Sequence, residues 1–175
     1  MPTPTQLRRQ IRSLTNLAEA DLATLWRRSL SESTLMAALP PLVEVYGSAA
    51  ATVAAEWYDE IRDAEDARGR FRAIPATVED PGEQSLVGWA FSEATDESAL
   101  KVLIAGGIQR RIANFSRLTV MDSSMQDPAA RGWRRTGSGE CDFCRMLIGR
   151  GAVYTEASVD FQSHDHCNCA AVPAF

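Results

Sequence analysis

All four cysteines and both histidines of this 175-residue chain fall within its last 35 residues. They form one Cys-x2-Cys pair and one His-x-His-Cys-x-Cys string; the residues are Cys141, Cys144, His164, His166, Cys167 and Cys169. Thiolates and imidazoles presented in pairs from two short turns are the usual ligands of tetrahedral Zn²⁺. The pattern therefore predicts a small zinc-binding knuckle near the C-terminal end.

The six candidate ligands exceed the four that a tetrahedral ion takes. The firmest pair is Cys141 with Cys144, because a two-residue gap lets both sulfurs reach about 2.3 Å from one ion. The second pair stays open: His164 with Cys167 repeats that gap, whereas Cys167 with Cys169 would complete a four-thiolate site. His166 is a ligand, a supporting hydrogen-bond donor or an exposed side chain. The predicted metal-binding residues are Cys141, Cys144, His164, Cys167 and Cys169.

A site whose four positions are all filled by protein leaves no place for an activated water, so the predicted zinc ion is structural. Such an ion supplies folding energy to a segment too short to bury its own core. Free thiols and disulfides are the alternatives. Residues 1–10 contain no apolar signal segment, which predicts folding in a reducing cytoplasm and disfavours disulfides. No apolar run approaches the roughly 20 residues that span a bilayer, so no membrane partner is expected.

The sequence contains no convincing catalytic constellation. The His-x-Glu of zinc deaminases, G-x-S-x-G, Walker A and H-E-x-x-H are all absent. A nucleophilic pair such as Cys144 with His164 is chemically allowed. However, one such pair drawn from four cysteines and two histidines is a weak signal. The sequence therefore favours a protein without catalytic activity.

Charge is distributed unevenly along a chain whose net charge is -5. Residues 56–97 hold twelve acids and four arginines, whereas residues 101–135 hold seven bases and two acids. Arginines that flank an aromatic ring can hold phosphate while the ring stacks on a base. The predicted nucleic-acid contacts are Arg131, Trp133, Arg134 and Arg135. The alternatives are a buried tryptophan among exposed arginines, and two oppositely charged faces that attract each other within the fold.

Apolar periodicity predicts helices over most of the first 122 residues. They run from about Thr5 to Ser29, from a Ser31 or Ser33 cap to Ala38, from Pro41 to about Ala67, from Glu83 to Ser92, and from a Thr95 or Asp96 cap through Leu118. Pro40-Pro41 is expected to separate the second helix from the third. Gly106-Gly107 inside the last helix costs roughly 2 kcal/mol against two alanines, which predicts a close crossing or a bend.

The predicted architecture is mainly α: a helical body with a small C-terminal α+β zinc-knuckle-like segment. Residues 1–122 are expected to form the body from antiparallel long helices. Residues 123–175 are expected to form a basic loop plus the small Cys/His metal knuckle. In this second unit, Cys144 to Leu147 should form a turn of helix and residues 152–154 a short strand.

The C-terminal segment resembles the minor head proteins of tailed bacteriophages of the Mu F type. The residues that carry the resemblance are the string from Cys141 to Tyr154, Phe161, the cluster from His164 to Cys169, and Pro173. In the N-terminal half, residues 46–59 and 69–72 are similar as well. The resemblance is to the actinobacteriophage branch, whose members are often labelled minor capsid protein or capsid maturation protease and often continue past the position of Phe175.

This resemblance implies a virion component that is made beside the portal protein in the host cytoplasm and lies in the head interior. The implied partners are the portal protein, the major capsid or scaffold protein and double-stranded DNA, with several copies per head. The implied role is to assist head assembly or genome delivery. Two alternatives follow: a capsid maturation protease acting on scaffold or shell protein, for which no residue carries over, and a free-standing DNA-binding factor.

Overall fold

The computed structural model describes residues 1–27, 31–139, 141–152, 154–155 and 161–175. Within these ranges the elements are α1 Pro4–Trp26, α2 Glu32–Ala64, α3 Glu83–Glu93, α4 Glu97–Gln126, β1 Trp133–Thr136, α5 Asp142–Gly149 and β2 Ala170–Pro173. The strands pair antiparallel, with Trp133 opposite Pro173 and Thr136 opposite Ala170. The predicted mainly α fold with a small C-terminal α+β segment is confirmed. Among the described residues, no helix combines the length and apolar character that crossing a bilayer requires.

Side-chain caps fix the beginnings of α1, α2 and α4. In each helix an oxygen of the capping side chain accepts a hydrogen bond from the backbone N–H three residues later; the caps are Thr3, Ser31 and Asp96. These bonds satisfy donors that the first turn of a helix leaves unpaired. Of the alternatives that the sequence left open, Ser31 rather than Ser33 begins α2, and Asp96 rather than Thr95 begins α4. The predicted end of the first helix at Ser29 lies outside the described residues.

The prediction that Pro40-Pro41 separates two helices is wrong, because α2 continues through both prolines. Leu35, Leu39 and Val43 follow one another at four-residue spacing and are all fully buried. Burial of each such side chain is worth about 1.5 to 3 kcal/mol. Together they match in size the roughly 3 kcal/mol that each interior proline costs. The turns on both sides of the prolines therefore stay in one helix that faces one core.

The two longest helices, α2 and α4, run in the same direction. Gly47 of α2 lies against the ring of Phe115, so closely that an added Cβ would be 2.6 Å from it. Further along both helices, Arg62 Nε lies 2.8 Å from Asp127 Oδ2. From the first contact to the second, the residue numbers increase along both helices, so the helices are parallel. The expectation of antiparallel long helices is therefore wrong for this pair.

A return path beside α4 explains the parallel arrangement. Residues 65–82 run back along α4, where the backbone N–H of Ala76 donates to Thr119 Oγ1 and Arg111 Nη2 donates to the Gly82 carbonyl. Next, α3 continues in that direction, with its Leu86 against Gly107. Because residues 65–93 run in the direction opposite to α2, α4 can then run beside α2 in the same direction.

The antiparallel member of the helical body is α1. Its Asp21 accepts a hydrogen bond from Tyr46 of α2, and the carbonyl of Thr3 before its first turn accepts one from Trp57 Nε1.

One continuous hydrophobic core connects this body with the C-terminal segment; it includes Leu7, Leu39, Ile108, Trp133 and Val172. The segment that carries the cysteines is thus packed on the helices.

The last helix of the body is longer than expected, because α4 ends at Gln126 and residue 122 lies inside it. Ser123 and Ser124 are buried, and Ser124 Oγ donates to the carbonyl four residues earlier. The helix stops at Asp127, whose buried carboxylate accepts a hydrogen bond from Arg62. Two serines followed by polar residues resemble a loop in sequence, but tertiary burial extends the helix through them.

The Gly106-Gly107 pair lies where α4 approaches two neighbours closely, so the close approach predicted from it is confirmed. A Cβ added at Gly107 would be 2.3 Å from Leu86 Cδ1 of α3. A Cβ added at Gly106 would be 2.6 Å from His166 Nε2. Both glycines therefore provide space for side chains of other segments inside an uninterrupted helix.

We expect Gly107→Ala to lower the free energy of unfolding by about 1 kcal/mol. Forcing a methyl group into this packed crossing costs about 1 to 3 kcal/mol, which exceeds the roughly 1 kcal/mol gained by replacing a helical glycine. Chemical denaturation measures the difference. The matched control is Gly88→Ala in α3, where an added Cβ meets nothing within 4 Å; this variant should be slightly more stable than the parent. Stabilisation of similar size by both variants would contradict the close crossing.

Candidate metal centre

The first cysteine pair is positioned by the beginning of α5. Cys141 is the N-cap residue, and its Sγ accepts a hydrogen bond of 3.3 Å from the backbone N–H of Cys144. Cys144 therefore lies in the first turn, with its side chain buried. The helical turn predicted after Cys144 is present, within a longer helix that begins at Asp142. Of the strand predicted at 152–154, residue 153 lies outside the described part, and Tyr154 forms an isolated bridge with Trp133.

The second group of candidate ligands is held against α4 by buried polar side chains. Arg117 donates from Nη2 to the Cys167 carbonyl at 2.8 Å and from Nε to the Cys169 carbonyl at 3.0 Å. Gln109 Nε2 donates to the Cys167 carbonyl at 3.1 Å. These bonds fix the backbone on both sides of Asn168. Neither Arg117 nor Gln109 was singled out from the sequence as part of the site.

Five of the six candidate side chains converge around Cys144. Its Sγ lies 3.5 Å from His164 Nε2 and 3.8 Å from Cys167 Sγ, and Cys141 Sγ lies 3.2 Å from the same His164 nitrogen. Two overlapping sets have all their ligand atoms within 4.8 Å of one another: Cys141, Cys144 and His164, and Cys144, Cys167 and Cys169. The four cysteines are free thiols. The cluster could hold a metal ion.

Two of these three separations match those of a tetrahedral zinc ion, and the third, between Cys141 and His164, is about 0.3 Å shorter. With bonds of about 2.3 Å to sulfur and about 2.0 Å to nitrogen, tetrahedral ligand atoms lie about 3.8 Å apart for two sulfurs and about 3.5 Å apart for sulfur and nitrogen. The distances from Cys144 to Cys167 and His164, 3.8 and 3.5 Å, agree with both values. The donor set of thiolates and imidazole is also the one that zinc prefers.

The ring of His164 is oriented to present Nε2 to the sulfurs. Its Nδ1 lies 2.7 Å from the carbonyl oxygen of Asp165, which can only accept, so Nδ1 carries the proton. The lone pair of Nε2 is then directed at Cys141 and Cys144, an arrangement common to metal-binding histidines. The same hydrogen bond is the main reason that the pKa of His164 is raised. His166 is exposed and belongs to neither ligand set.

The thiols differ in their affinity for protons. A hydrogen bond from Cys169, assisted by the charge of Arg117, lowers the pKa of Cys167 to about 4 against the effect of burial. A hydrogen bond to Cys167 raises the pKa of Cys169. Burial raises the pKa of Cys144 to about 11, which disfavours the thiolate that a nucleophilic cysteine needs. The hydrogen bond from the Cys144 backbone lowers the pKa of Cys141.

The guanidinium of Arg117 is the positive charge next to this cluster. Its side chain is buried, and burial lowers its pKa to about 10, so it remains charged at neutral pH. Its hydrogen-bond acceptors are neutral: two carbonyls, the Asn114 side chain and the Ser163 hydroxyl. In the described part of the chain, no carboxylate forms an ion pair with it. Because a buried charge needs compensation, its counter-charge is the thiolate of Cys167, whose pKa the charge of Arg117 helps to lower.

The four residues predicted to contact nucleic acid do not share one exposed surface. Trp133 is 1% exposed and stacks on two aromatic rings, with centroid distances of 4.4 and 5.6 Å. Arg135 is also buried, with its guanidinium carbon 3.9 Å from the ring centroid of Phe161. A buried ring cannot stack on a base, so the prediction is corrected for Trp133 and Arg135. It stays a prediction for Arg131 and Arg134, which are exposed.

Comparison with known proteins places the chain in a family. None of the curated proteins and none of the solved structures gives a significant match. A family model described as VG15 protein matches residues 2–175, a range that includes every helix, the strand pair and the cysteine cluster. The chain therefore belongs to the VG15 protein family, whose name points to a phage virion gene product.

Proposed function

We propose that this protein is a minor head protein of a bacteriophage, associated with the portal and the packaged DNA, and that it assists head assembly or genome delivery. The observation that carries the proposal is the cysteine–histidine cluster, which brings the beginning of α5 next to residues 164–169. A metal ion bound there would join these two segments and stabilise a scaffold. Membership of the VG15 family supports a place in the virion.

We propose further that the cluster binds one structural zinc ion through Cys141, Cys144, His164 and Cys167. Contacts of 3.2 to 3.8 Å connect Cys141 to His164, His164 to Cys144 and Cys144 to Cys167, and four protein ligands would leave no open coordination position. Cys167 belongs to the other ligand set, so it would have to approach Cys141 and His164 to complete the site. Cys169 is then a neighbouring thiol that packs against Gly137, where an added Cβ would be 2.6 Å from its Sγ. The ion would join the beginning of α5 to the loop that Arg117 holds on α4.

The protease alternative has less support from the same geometry. Its nucleophile and base would be Cys144 and His164, but both atoms lie among the other thiols of the cluster. Cys144 is 4% exposed, which leaves little access for a peptide substrate. Its raised pKa also opposes activation at neutral pH.

Fractionation of phage particles tests the proposed function. Peptides of this protein should be found by mass spectrometry in purified heads, and an affinity tag on it should recover the portal protein from infected cells. Particles made without the gene should contain fewer DNA-filled heads. If the protein is abundant in the lysate but absent from procapsids and finished heads, the proposal is wrong.

A further inference from the structure

A polar pocket of about 190 Å³ lies between the first half of α1 and two loops of the C-terminal segment. We call it the arginine pocket; it is lined by Thr5, Arg8, Arg9, Arg12, Ser138 and Asn168. Three of these side chains are cationic, three are neutral hydrogen-bonding groups, and no carboxylate is among them. A water molecule takes about 30 Å³ in the liquid, so the pocket has room for an anion of several heavy atoms.

The positive charges of the arginine pocket are not compensated within the described residues. No ion pair there involves Arg8, Arg9 or Arg12. Arg8 donates from Nη2 to Thr5 Oγ1, but its Nε is buried without an acceptor. In the sequence, no acidic residue precedes Glu19. The first half of α1 therefore carries three positive charges that no carboxylate of the described residues pairs with.

The arrangement is unfavourable for an isolated helix. Arg8 and Arg12 are one turn apart, and like charges at this spacing repel each other by a few tenths of a kcal/mol. An anion bound between the guanidinium groups would relieve the repulsion.

We infer that the arginine pocket binds the phosphodiester backbone of double-stranded DNA. Guanidinium groups match phosphate oxygens with two parallel hydrogen bonds. Side chains of serine, threonine and asparagine are also frequent phosphate contacts, and here they come from Ser138, Thr5 and Asn168. The inference rests on the proposed function, in which packaged DNA is a partner, and it assigns a DNA contact to α1.

The test is the salt dependence of DNA binding by Arg9→Gln/Arg12→Gln, measured by fluorescence anisotropy with a labelled DNA duplex. Each lost phosphate contact should reduce the slope of log K against log salt by about 0.9, so the double variant should lose about 1.8. At about 0.1 M salt this is an affinity loss of about 60-fold. Both side chains are exposed, so the helical circular dichroism should not change.

The matched control is Arg68→Gln/Arg70→Gln, which removes the same charge from two exposed arginines in the connector after α2. Its slope should equal that of the parent. The inference is overturned if the pocket variant keeps the parental slope, if the control loses as much, or if a polyglutamate peptide and not DNA shows the dependence on Arg9 and Arg12. If the protein is found in heads but its DNA binding does not depend on Arg9 and Arg12, the inference is wrong and the proposed function is still supported.

Discussion

Cys144→Ser should abolish zinc binding and release the C-terminal segment from the helical body. The Sγ of Cys144 belongs to both ligand sets, so its loss leaves neither set with enough donors. Structural zinc sites contribute apparent binding free energies of about 10 to 16 kcal/mol, which are also folding free energies. The parent protein should contain about one zinc ion per chain by elemental analysis, and the variant less than about half of that.

The loss should be local, because most of the shared hydrophobic core lies within the helical body. Side chains such as Leu39, Val43 and Ile108 belong to that part of the core and come from α2 and α4. We therefore expect limited proteolysis to cut the variant between residues 131 and 169 while the fragment containing α1 to α4 survives. Far-ultraviolet circular dichroism should fall only slightly. Complete unfolding would show that the cluster stabilises the whole chain.

His166→Asn is the matched control for the loss of zinc. His166 lies next to the ligands in sequence but in neither ligand set, and its φ of 61° is one that asparagine adopts readily. This variant should keep its zinc. Cys169→Ser should also keep it, because Cys169 is the thiol left out of the proposed four. Zinc retained in Cys144→Ser would contradict the site, and zinc lost in Cys169→Ser but not in Cys167→Ser would exchange the roles of those two residues.

The features that the sequence predicted correctly depend on local signals. Ser31 and Asp96 cap helices through bonds to residues three positions away, and apolar periodicity within each helix is equally local. The Cys-x2-Cys spacing is local too, because Cys141 and Cys144 lie on one helical turn. Such patterns can be interpreted without knowledge of the rest of the chain. They sufficed for the helices and for the location of the cysteine cluster.

The features that the sequence did not predict depend on distant partners. Continuation of α2 through Pro40-Pro41 requires the core that both sides of the prolines share. Pairing of β1 with β2 joins segments separated by more than 30 residues. The parallel course of α2 and α4 follows from the return path of residues 65–82. None of these has a signal within a short window of sequence.

The arginines show most clearly what could not be predicted from the sequence. Arg117 and Arg135 were counted as part of a basic stretch, which suggested a surface, but both are buried beside the cysteine cluster. A signal for Arg117 exists: it lies four residues after Ala113 and three before Val120, on a face that is otherwise apolar and buried. A charged residue on such a face needs a buried partner of opposite charge. The cysteines were candidates for that partner, but their position next to α4 could be known only from the structure.

Arg117→Met should lower the free energy of unfolding by about 3 to 5 kcal/mol, because it leaves buried partners without their counter-charge. The carbonyl of Cys169 would lose its bond to Nε, and the thiolate of Cys167 would lose the cation beside it. Thermal or chemical denaturation of the zinc-loaded protein measures this loss. Methionine is unbranched and uncharged but shorter than arginine, so the change removes the charge and the hydrogen bonds and also leaves space where the guanidinium was. Lys101→Met, on an exposed part of the same helix, should cost less than about 1 kcal/mol.

Zinc affinity distinguishes a role in the metal centre from simple packing. Residues that support metal ligands from behind typically change the affinity by about 10- to 100-fold when they are replaced, and Arg117 supports both Cys167 and Cys169. Competition with a chelator should therefore remove zinc from Arg117→Met at a lower chelator concentration than from the parent or from Lys101→Met. Arg117→Lys keeps the charge but loses the fork that reaches two carbonyls, so its affinity should lie between those of the parent and Arg117→Met. If stability falls while the zinc affinities of the parent, Arg117→Met and Arg117→Lys stay equal, Arg117 is a packing residue and the Cys167 thiolate is not its counter-charge.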